Sequence, residues 1–324
     1  MIKSVQFQNF KVLRDATLPL DRFTLIVGPN GSGKSTALQA LQAVKNPPPY
    51  SVVATAGLKP TEAAVEVIIQ WEAPYEGALS TAVWSPVFSL RHQGAEESNL
   101  DTKLNKVRIY TLDAPAIAAP TQPHPKLELA RDGSHLVGIL DHLHGREPER
   151  FEALNDELGR WFPEFDRILF DTPAPGQKSL LLRTRNGHYA IPAADLSQGT
   201  LLALTVLTLG YLPDPPSLVG LEEPDRGIHP RLLRQIQDAL YRLSYPEDYG
   251  EKRGPVQVIA TTHSPYLLDL YRDYPEEIVI AQKTEEGARF ERLSDHPHLI
   301  EILGDAPLGE VWYSGVLGGV PAEQ

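Results

Sequence analysis

The stretch "GPNGSGKST", residues 28–36, decides the fold class of this chain. It follows the apolar run "FTLIV" at 23–27 and precedes "ALQALQAV" at 37–44, so a strand, a glycine-rich turn and a helix succeed one another. The pattern G-x-x-x-x-G-K-[S/T] is met in full by Gly28, Gly33, Lys34 and Ser35. The stretch therefore predicts a P-loop, in which backbone N–H groups and a helix N-terminus surround a phosphate.

The P-loop residues have separate predicted roles. Lys34 is expected to reach the β- and γ-phosphates of a bound nucleotide, and the Ser35 hydroxyl to coordinate Mg²⁺. The residues predicted to contact the nucleotide in this loop are Asn30, Gly31, Ser32, Gly33, Lys34, Ser35 and Thr36.

Composition limits the class of protein. The 324 residues carry a net charge of −12, so no general basic field draws the chain to nucleic acid, and any DNA contact needs a local patch or a partner. With no cysteine, disulfides, metal-thiolate sites and cysteine nucleophiles are excluded. No apolar run approaches membrane-spanning length, and "MIKSVQFQNF" alternates like a strand. We expect a soluble, cytoplasmic protein without membrane contact.

The order of periodic segments suggests two lobes in one head. Strand patterns dominate the first third, until the proline- and alanine-rich stretch "DAPAIAAPTQPHP" at 113–125. Two amphipathic helices follow, then a hairpin signal at Asn186-Gly187, and from 217 onward strands and helices alternate. We predict lobe I at 1–112 and 213–324, holding the nucleotide-binding core, and a helical lobe II at 113–212.

A second anion site is predicted in "DLSQGTLLALTVLTLGYL", residues 195–212. Ser197 and Gly199 open a helix that is apolar nearly all round, so the helix is buried while its N-terminus offers free N–H groups. The alternative interpretation is a serine cap on an ordinary core helix.

Two further strands end in polar residues. "SLVGLEEPDRGIHPRLLRQI" at 217–236 contains a short apolar strand that runs into Glu222 and Glu223, and "VQVIATTHSPYLLDL" at 256–270 contains one that runs into His263. Ligands in open α/β sheets bind at such carboxyl ends. One carboxylate is predicted to hold Mg²⁺ and the other to activate water, unless both are solvated strand-end residues; alone, the histidine is more typical of a loop or cap.

In this order, the motifs resemble those of the ATP-binding-cassette ATPases, most closely the non-transporter RecF, SMC and OLD-type heads. "GPNGSGKST" resembles Walker A, "LSQGT" the signature motif, "LVGLEEP" Walker B with the following acid, "DRGIHP" the D-loop and "TTHSP" the switch-histidine loop. "EEPDRGIHP" and "ATTHSPYLLD" are especially similar to OLD-like ATPases that work with TOPRIM nucleases in phage defence. The resemblance implies an α/β P-loop fold, a mixed sheet around the P-loop helix plus a helical lobe.

The sequence departs from the family pattern at several points. Glu222 stands where Walker B usually has Asp, and "LSQGT" replaces the commoner "LSGGQ". The Q-loop glutamine is either Gln70 or Gln122. The segment "PLGEVWYSGVLGGVP", 307–321, belongs to none of the cassette motifs.

The resemblance implies a mechanism in which two heads dimerise head to tail and enclose ATP and Mg²⁺. Lys34 and Ser197 would face the phosphates, Glu222 with Ser35 would hold Mg²⁺, Glu223 would act as base, and His263 would sense the γ-phosphate. Such a switch would act with a separate, nuclease-like effector in phage defence or DNA maintenance. A RecF-like repair ATPase that binds DNA itself is the alternative, and a transporter ATPase is a weaker one. Arg231, Arg234 and Arg242 form the basic helical face available for DNA, although a solvated face explains them equally well.

Overall fold

The computed structural model describes residues 1–85, 87–122, 128–187, 189–304 and 306–317. The strands are β1 (Ile2–Phe10), β2 (Leu13–Pro19), β3 (Phe23–Val27), β4 (Val65–Trp71), β5 (Leu79–Ser85), β6 (Val87–Gln93), β7 (Val107–Tyr110), β8 (Phe165–Asp171), β9 (Ser179–Thr184), β10 (Ala190–Pro192), β11 (Leu218–Glu222), β12 (Gln257–Thr262), β13 (Ile278–Thr284) and β14 (Gly287–Arg292). The helices are α1 (Lys34–Lys45), α2 (Tyr50–Val53), α3 (Glu97–Asn105), α4 (Ala114–Ala118), α5 (Leu136–Arg146), α6 (Pro148–Trp161), α7 (Gln198–Leu209), α8 (Leu233–Ser244), α9 (Pro265–Asp269), α10 (Leu299–Leu303) and α11 (Leu308–Tyr313).

These elements pack into two compact units. The first comprises Met1–Ile109, Pro216–Glu222 and Ser244–Gln324, and the second Tyr110–Pro215 and Glu223–Leu243. The segment 223–243, which the sequence places with the nucleotide-binding core, thus packs with the second unit. Contacts with other residues of the second unit hold this segment there; for example, the Arg226 guanidinium donates to the Leu112 carbonyl at 2.6 Å. The functional division into lobes stays a prediction.

The larger sheet of the first unit has six strands, in the order β14-β13-β3-β12-β11-β7. Strands β13, β3, β12 and β11 run parallel, and β14 is antiparallel to β13. Every residue of β3 and β12 is buried, as expected for parallel strands covered on both faces. The continuous apolar run "FTLIV" therefore reflects burial on two sides rather than alternation.

A second, antiparallel sheet completes the first unit, in the order β2-β1-β4-β5-β6. Its buried side chains join those of α1, α3 and the larger sheet in one apolar core. The strand patterns that dominate the first third of the sequence include "SVQFQNF", "ATLPL" and "AAVEVIIQW", which form β1, β2 and β4. This shared core holds the P-loop helix between two sheets.

The second unit combines helices α4 to α7 and most of α8 with a three-stranded antiparallel sheet, β10-β9-β8. The predicted apolar faces of α5 and α6 are confirmed, since both bury them. Helix α7 is buried at every residue from Gly199 to Leu209. Strands β9 and β10 pair on either side of the predicted Asn186-Gly187 turn.

Within the part of the chain that the structure describes, none of the helices has both the length and the apolar character needed to span a bilayer.

Candidate nucleotide site

The P-loop connects β3 to α1 through glycines in the left-handed region. Gly31 has φ 77° and Gly33 has φ 96°, conformations that residues with a Cβ rarely adopt. Gly33 is also the N-cap of α1, and no side chain caps this helix end. The first N–H groups of a twelve-residue helix are thus left for another acceptor, which is the arrangement that binds phosphate.

Two glycines of the loop are also required by packing. A Cβ on Gly28 would lie 2.2 Å from the carbonyl oxygen of Ala281 in β13. A Cβ on Gly33 would lie 2.8 Å from Leu13 and 2.9 Å from Ala288. Real Cβ atoms do not approach other atoms so closely, so the neighbouring strands press directly on this backbone.

Lys34 lies inside the loop, with only 5% of its surface exposed. Its Nζ donates to the carbonyl oxygens of Gly28 at 2.7 Å and Pro29 at 2.9 Å. The ammonium group therefore sits among the backbone groups that would surround a phosphate, which would take over as its acceptor.

Ser32 provides a test of whether the loop suits a phosphate. Its Oγ is buried and has no hydrogen-bond partner within the described part of the chain. A buried hydroxyl without a partner costs about 1–3 kcal/mol, and a phosphate oxygen would satisfy it. Asn30, Gly31 and Ser35 are exposed and Thr36 is half-buried, so the mouth of the loop is open. The residues present fit a nucleotide phosphate.

The carboxyl ends of three neighbouring parallel strands lie in register at the P-loop. Val27 of β3 is paired with Thr262 of β12, and Thr261 of β12 is paired with Glu222 of β11. Gly28, Glu223 and His263 are the next residues of the three strands. The motifs predicted to act together thus leave the sheet at one edge, where α/β proteins bind ligands.

Glu222 and Glu223 differ in backbone conformation. Glu222 is the last residue of β11, and its Oε1 atom is buried. Glu223 has φ 47°, a left-handed conformation that is strained for a residue with a Cβ. Its carbonyl accepts the Arg226 N–H at 3.0 Å in the turn that follows. Strained residues of this kind concentrate at functional sites.

His263 is half-buried at the end of β12. The next residue, Ser264, donates its N–H to Thr262 Oγ1 at 2.9 Å, and its Oγ accepts the Leu267 N–H at 3.3 Å as the cap of α9. The histidine is thus held in a short turn that is fixed on both sides, by the strand and by the capped helix.

The second predicted anion site lies in the second unit. Ser197 is exposed, and its Oγ accepts the Thr200 N–H at 3.1 Å and contacts Thr200 Oγ1 at 2.8 Å. The serine is therefore the N-cap of α7, and its contact with a nucleotide stays a prediction. Packing within the second unit explains why residue 199 is a glycine, because a Cβ there would lie 2.5 Å from the Gly227 carbonyl oxygen. The predicted signature motif and D-loop thus pack backbone to backbone.

The Q-loop stays undecided. Gln70 lies in β4, where its Oε1 accepts from Ser4 Oγ at 3.1 Å, and both Gln70 and Gln122 are exposed.

Within the described residues, no group of three or more His, Asp or Glu side chains could hold a metal. The assignment of Mg²⁺ to Ser35 and Glu222 stays a prediction.

The three arginines of the predicted basic face lie in different local settings. Arg231 lies in the 3-10 turn Pro230–Leu232 before that helix, and Arg234 is exposed on it. Arg242 packs over the Tyr211 ring at 4.9 Å and donates to its hydroxyl at 3.0 Å. At least one of the three arginines is therefore engaged within its own unit.

Family models match most of the chain. The model described as "AAA domain, putative AbiEii toxin, Type IV TA system" matches residues 84–269, and the "AAA ATPase domain" model matches residues 1–110. The first match alone covers more than half of the chain and includes the predicted signature, Walker B and switch-histidine stretches.

Individual proteins agree with these matches. The OLD nuclease of Thermus scotoductus (strain ATCC 700910 / SA-01) is 24% identical over 353 aligned residues, covering 88% of this chain and 65% of that protein. The crystal structure of the SmcHead bound to the C-winged helix domain of ScpA has TM-score 0.65 and 16% identity, covering 90% of this chain and 96% of that one. The recombination mediator protein RecF-ATPrS in the RecFOR pathway has TM-score 0.51 and 10% identity, covering 90% and 98%. At such identities the two structures establish the fold alone.

Proposed function

The chain belongs to the family described as "AAA domain, putative AbiEii toxin, Type IV TA system", and we propose that it hydrolyses ATP as a switch that dimerises head to tail around the nucleotide. It is a P-loop ATPase head that is similar in sequence to OLD nuclease and resembles SMC and RecF heads in fold. An ATPase domain implies that ATP is the nucleotide bound.

The observation that carries the proposal is the register of the three strand ends. Because β3, β12 and β11 end together, the P-loop, His263 and Glu222 leave the same edge of the sheet. We assign Lys34 to the β- and γ-phosphates, Ser35 and Glu222 to Mg²⁺, and Glu223 to the attacking water as general base. When bound, Mg²⁺ would neutralise charge on the phosphate oxygens. His263 would respond to the presence of the γ-phosphate.

Dimerisation follows from the predicted role of the α7 N-terminus. Ser197 is exposed at the start of a buried twelve-residue helix, so a phosphate outside the protomer can approach its hydroxyl. We propose that the phosphate it meets is bound to the P-loop of a second copy. Hydrolysis would then remove the γ-phosphate that bridges the two copies and release them.

The biological role we propose is that of an ATPase and sensor subunit in bacterial phage defence or DNA maintenance. Support comes from the OLD nuclease, of which this chain spans 65% of the length. We propose that a separate, nuclease-like effector protein acts with this head. The net charge of −12 favours a protein partner over autonomous DNA binding.

Light-scattering mass of the Glu223→Gln variant tests the dimer. Without its base, this variant is expected to bind ATP and Mg²⁺, hydrolyse slowly and accumulate at twice its nucleotide-free mass. Ser197→Arg is the matched control, since it is expected to bind ATP without dimerising because a bulky cation blocks the contact between copies. If Glu223→Gln has the same mass with and without ATP, the dimerisation mechanism is wrong even where ATP binds.

The partner is tested by affinity purification of the Glu223→Gln protein from its native host, with ATP and Mg²⁺ present. Recovery of one co-purifying nuclease, lost in the Ser197→Arg variant, would support the effector proposal. Tight binding of the purified head to DNA at physiological salt, without any partner, would instead favour the RecF-like alternative.

A further inference from the structure

Helix α11, which lies in a segment outside the cassette motifs, packs directly on the helix that follows the switch histidine. A Cβ on Gly309 of α11 would lie 2.5 Å from the carbonyl oxygen of Pro265 and 2.7 Å from its Cβ. Pro265 is the first residue of α9 and stands two positions after His263. Only a glycine at 309 therefore allows the two helices to approach this closely.

A hydrogen bond joins the same glycine to the other end of α9. The Gly309 N–H donates to Asp269 Oδ1 at 2.6 Å, and Asp269 is the last residue of α9. A carboxylate at the first turn of α11 also faces the positive end of that helix. The first turn of α11 thus contacts both the start and the end of α9.

Further contacts fix α9 and the residues just after it in the first unit. Leu267 and Leu268 are fully buried, and Tyr271, just beyond the helix, stacks on Phe23 with ring centroids 5.0 Å apart and 4° between planes. Phe23 begins β3, the strand that leads into the P-loop. The segment of α9 and Tyr271 is thus joined both to α11, through Pro265 and Asp269, and to the strand that leads into the P-loop, through Phe23.

We propose that α11 is a positioning element for His263, acting through the Gly309 contact with Pro265 and the Gly309–Asp269 hydrogen bond. The inference rests on the proposed function, in which His263 senses the γ-phosphate. It assigns a role to the segment beginning at 307, which the cassette motifs leave unexplained. Its consequence is that disturbing α11 slows hydrolysis while ATP binding at the P-loop is unchanged.

The test uses the full chain with Gly309→Ala, Asp269→Ala and Asp269→Asn. Gly309→Ala and Asp269→Ala should lower kcat by roughly ten- to a hundredfold, as expected for misplacement of a reacting group by about 1 Å. KM and the Kd for ATP should stay within about twofold of wild type, because the P-loop is not touched. Asp269→Asn retains a side-chain oxygen as acceptor and should restore most of kcat. Glu310→Ala, at an exposed position on the same helix, is the control and should match wild type.

A double-mutant cycle separates positioning from general destabilisation. In the His263→Ala background, Gly309→Ala should cause no further fall in kcat, because the group it positions is absent. Equal fractional losses with and without His263, or a kcat unchanged in both Gly309→Ala and Asp269→Ala, would overturn the inference. Loss of thermal stability alone, with normal kcat for the folded protein, would overturn it too. If instead wild type and Lys34→Ala turn over ATP equally, the proposed function itself fails.

Discussion

Glu223 stands at the predicted catalytic position and has φ 47°. Its backbone strain affects stability and its carboxylate affects hydrolysis, so suitable substitutions should change the two properties independently. Asn tolerates the left-handed region far better than Gln or Glu, whose conformational cost there is about 1–2 kcal/mol. Glu223→Asn and Glu223→Gln remove the same negative charge, so the difference between their free energies of unfolding reports the cost of the left-handed backbone. We expect Glu223→Asn to be more stable than Glu223→Gln by about 1 kcal/mol.

The corresponding shift in Tm is small but measurable. With an unfolding entropy of about 2.1 cal/mol/K per residue over 324 residues, 1 kcal/mol corresponds to about 1.5 °C. Differential scanning calorimetry of both variants without nucleotide measures it. Glu222→Asn and Glu222→Gln are the matched controls, because Glu222 has ordinary strand geometry, where Asn has no advantage over Gln. An equal Tm for the two Glu223 variants, or the same Asn advantage at Glu222, would refute the strain argument. Both Glu223 variants should hydrolyse ATP slowly, so the gain in stability comes without activity.

Three further predictions concern other positions of the site. Lys34→Ala should abolish ATP turnover with an unchanged circular dichroism spectrum, because the phosphates lose their compensating ammonium group; wild-type turnover would remove the P-loop from the mechanism. Glu222→Gln should weaken the Mg²⁺ dependence of ATP binding measured by calorimetry, and normal dependence would place the metal-binding carboxylate elsewhere. Gly199→Ala should lower the free energy of unfolding by about 1–3 kcal/mol, since its Cβ would lie 2.5 Å from a carbonyl oxygen; unchanged denaturant unfolding would contradict this packing.

Local sequence determined the elements that carry the chemistry. The P-loop can be recognised from the sequence because all its parts are local: the buried strand, the left-handed glycines and the start of the helix follow one another directly along the chain. Amphipathic helices α5 and α6 and the hairpin at Asn186-Gly187 follow from short-range periodicity and turn chemistry in the same way. Strands β5 and β6 were not predicted; β6 is a sheet edge with mixed exposure and lacks clear alternation, whereas β5 does alternate.

The resemblance to a known family predicted that these elements act together, but only the tertiary structure contains the strand pairing that brings them to one edge. Strand register brings Glu222 and the turn of His263 beside the P-loop, although the three lie far apart in the chain, because hydrogen-bonded pairing between strands is not encoded in the periodicity of either one. The strain at Glu223 is likewise a property of the turn rather than of the residue type. Gly199 and Gly309 also depend on tertiary structure. Each must be a glycine because a backbone carbonyl of another segment lies where its Cβ would be, and that carbonyl comes close only when the chain is packed.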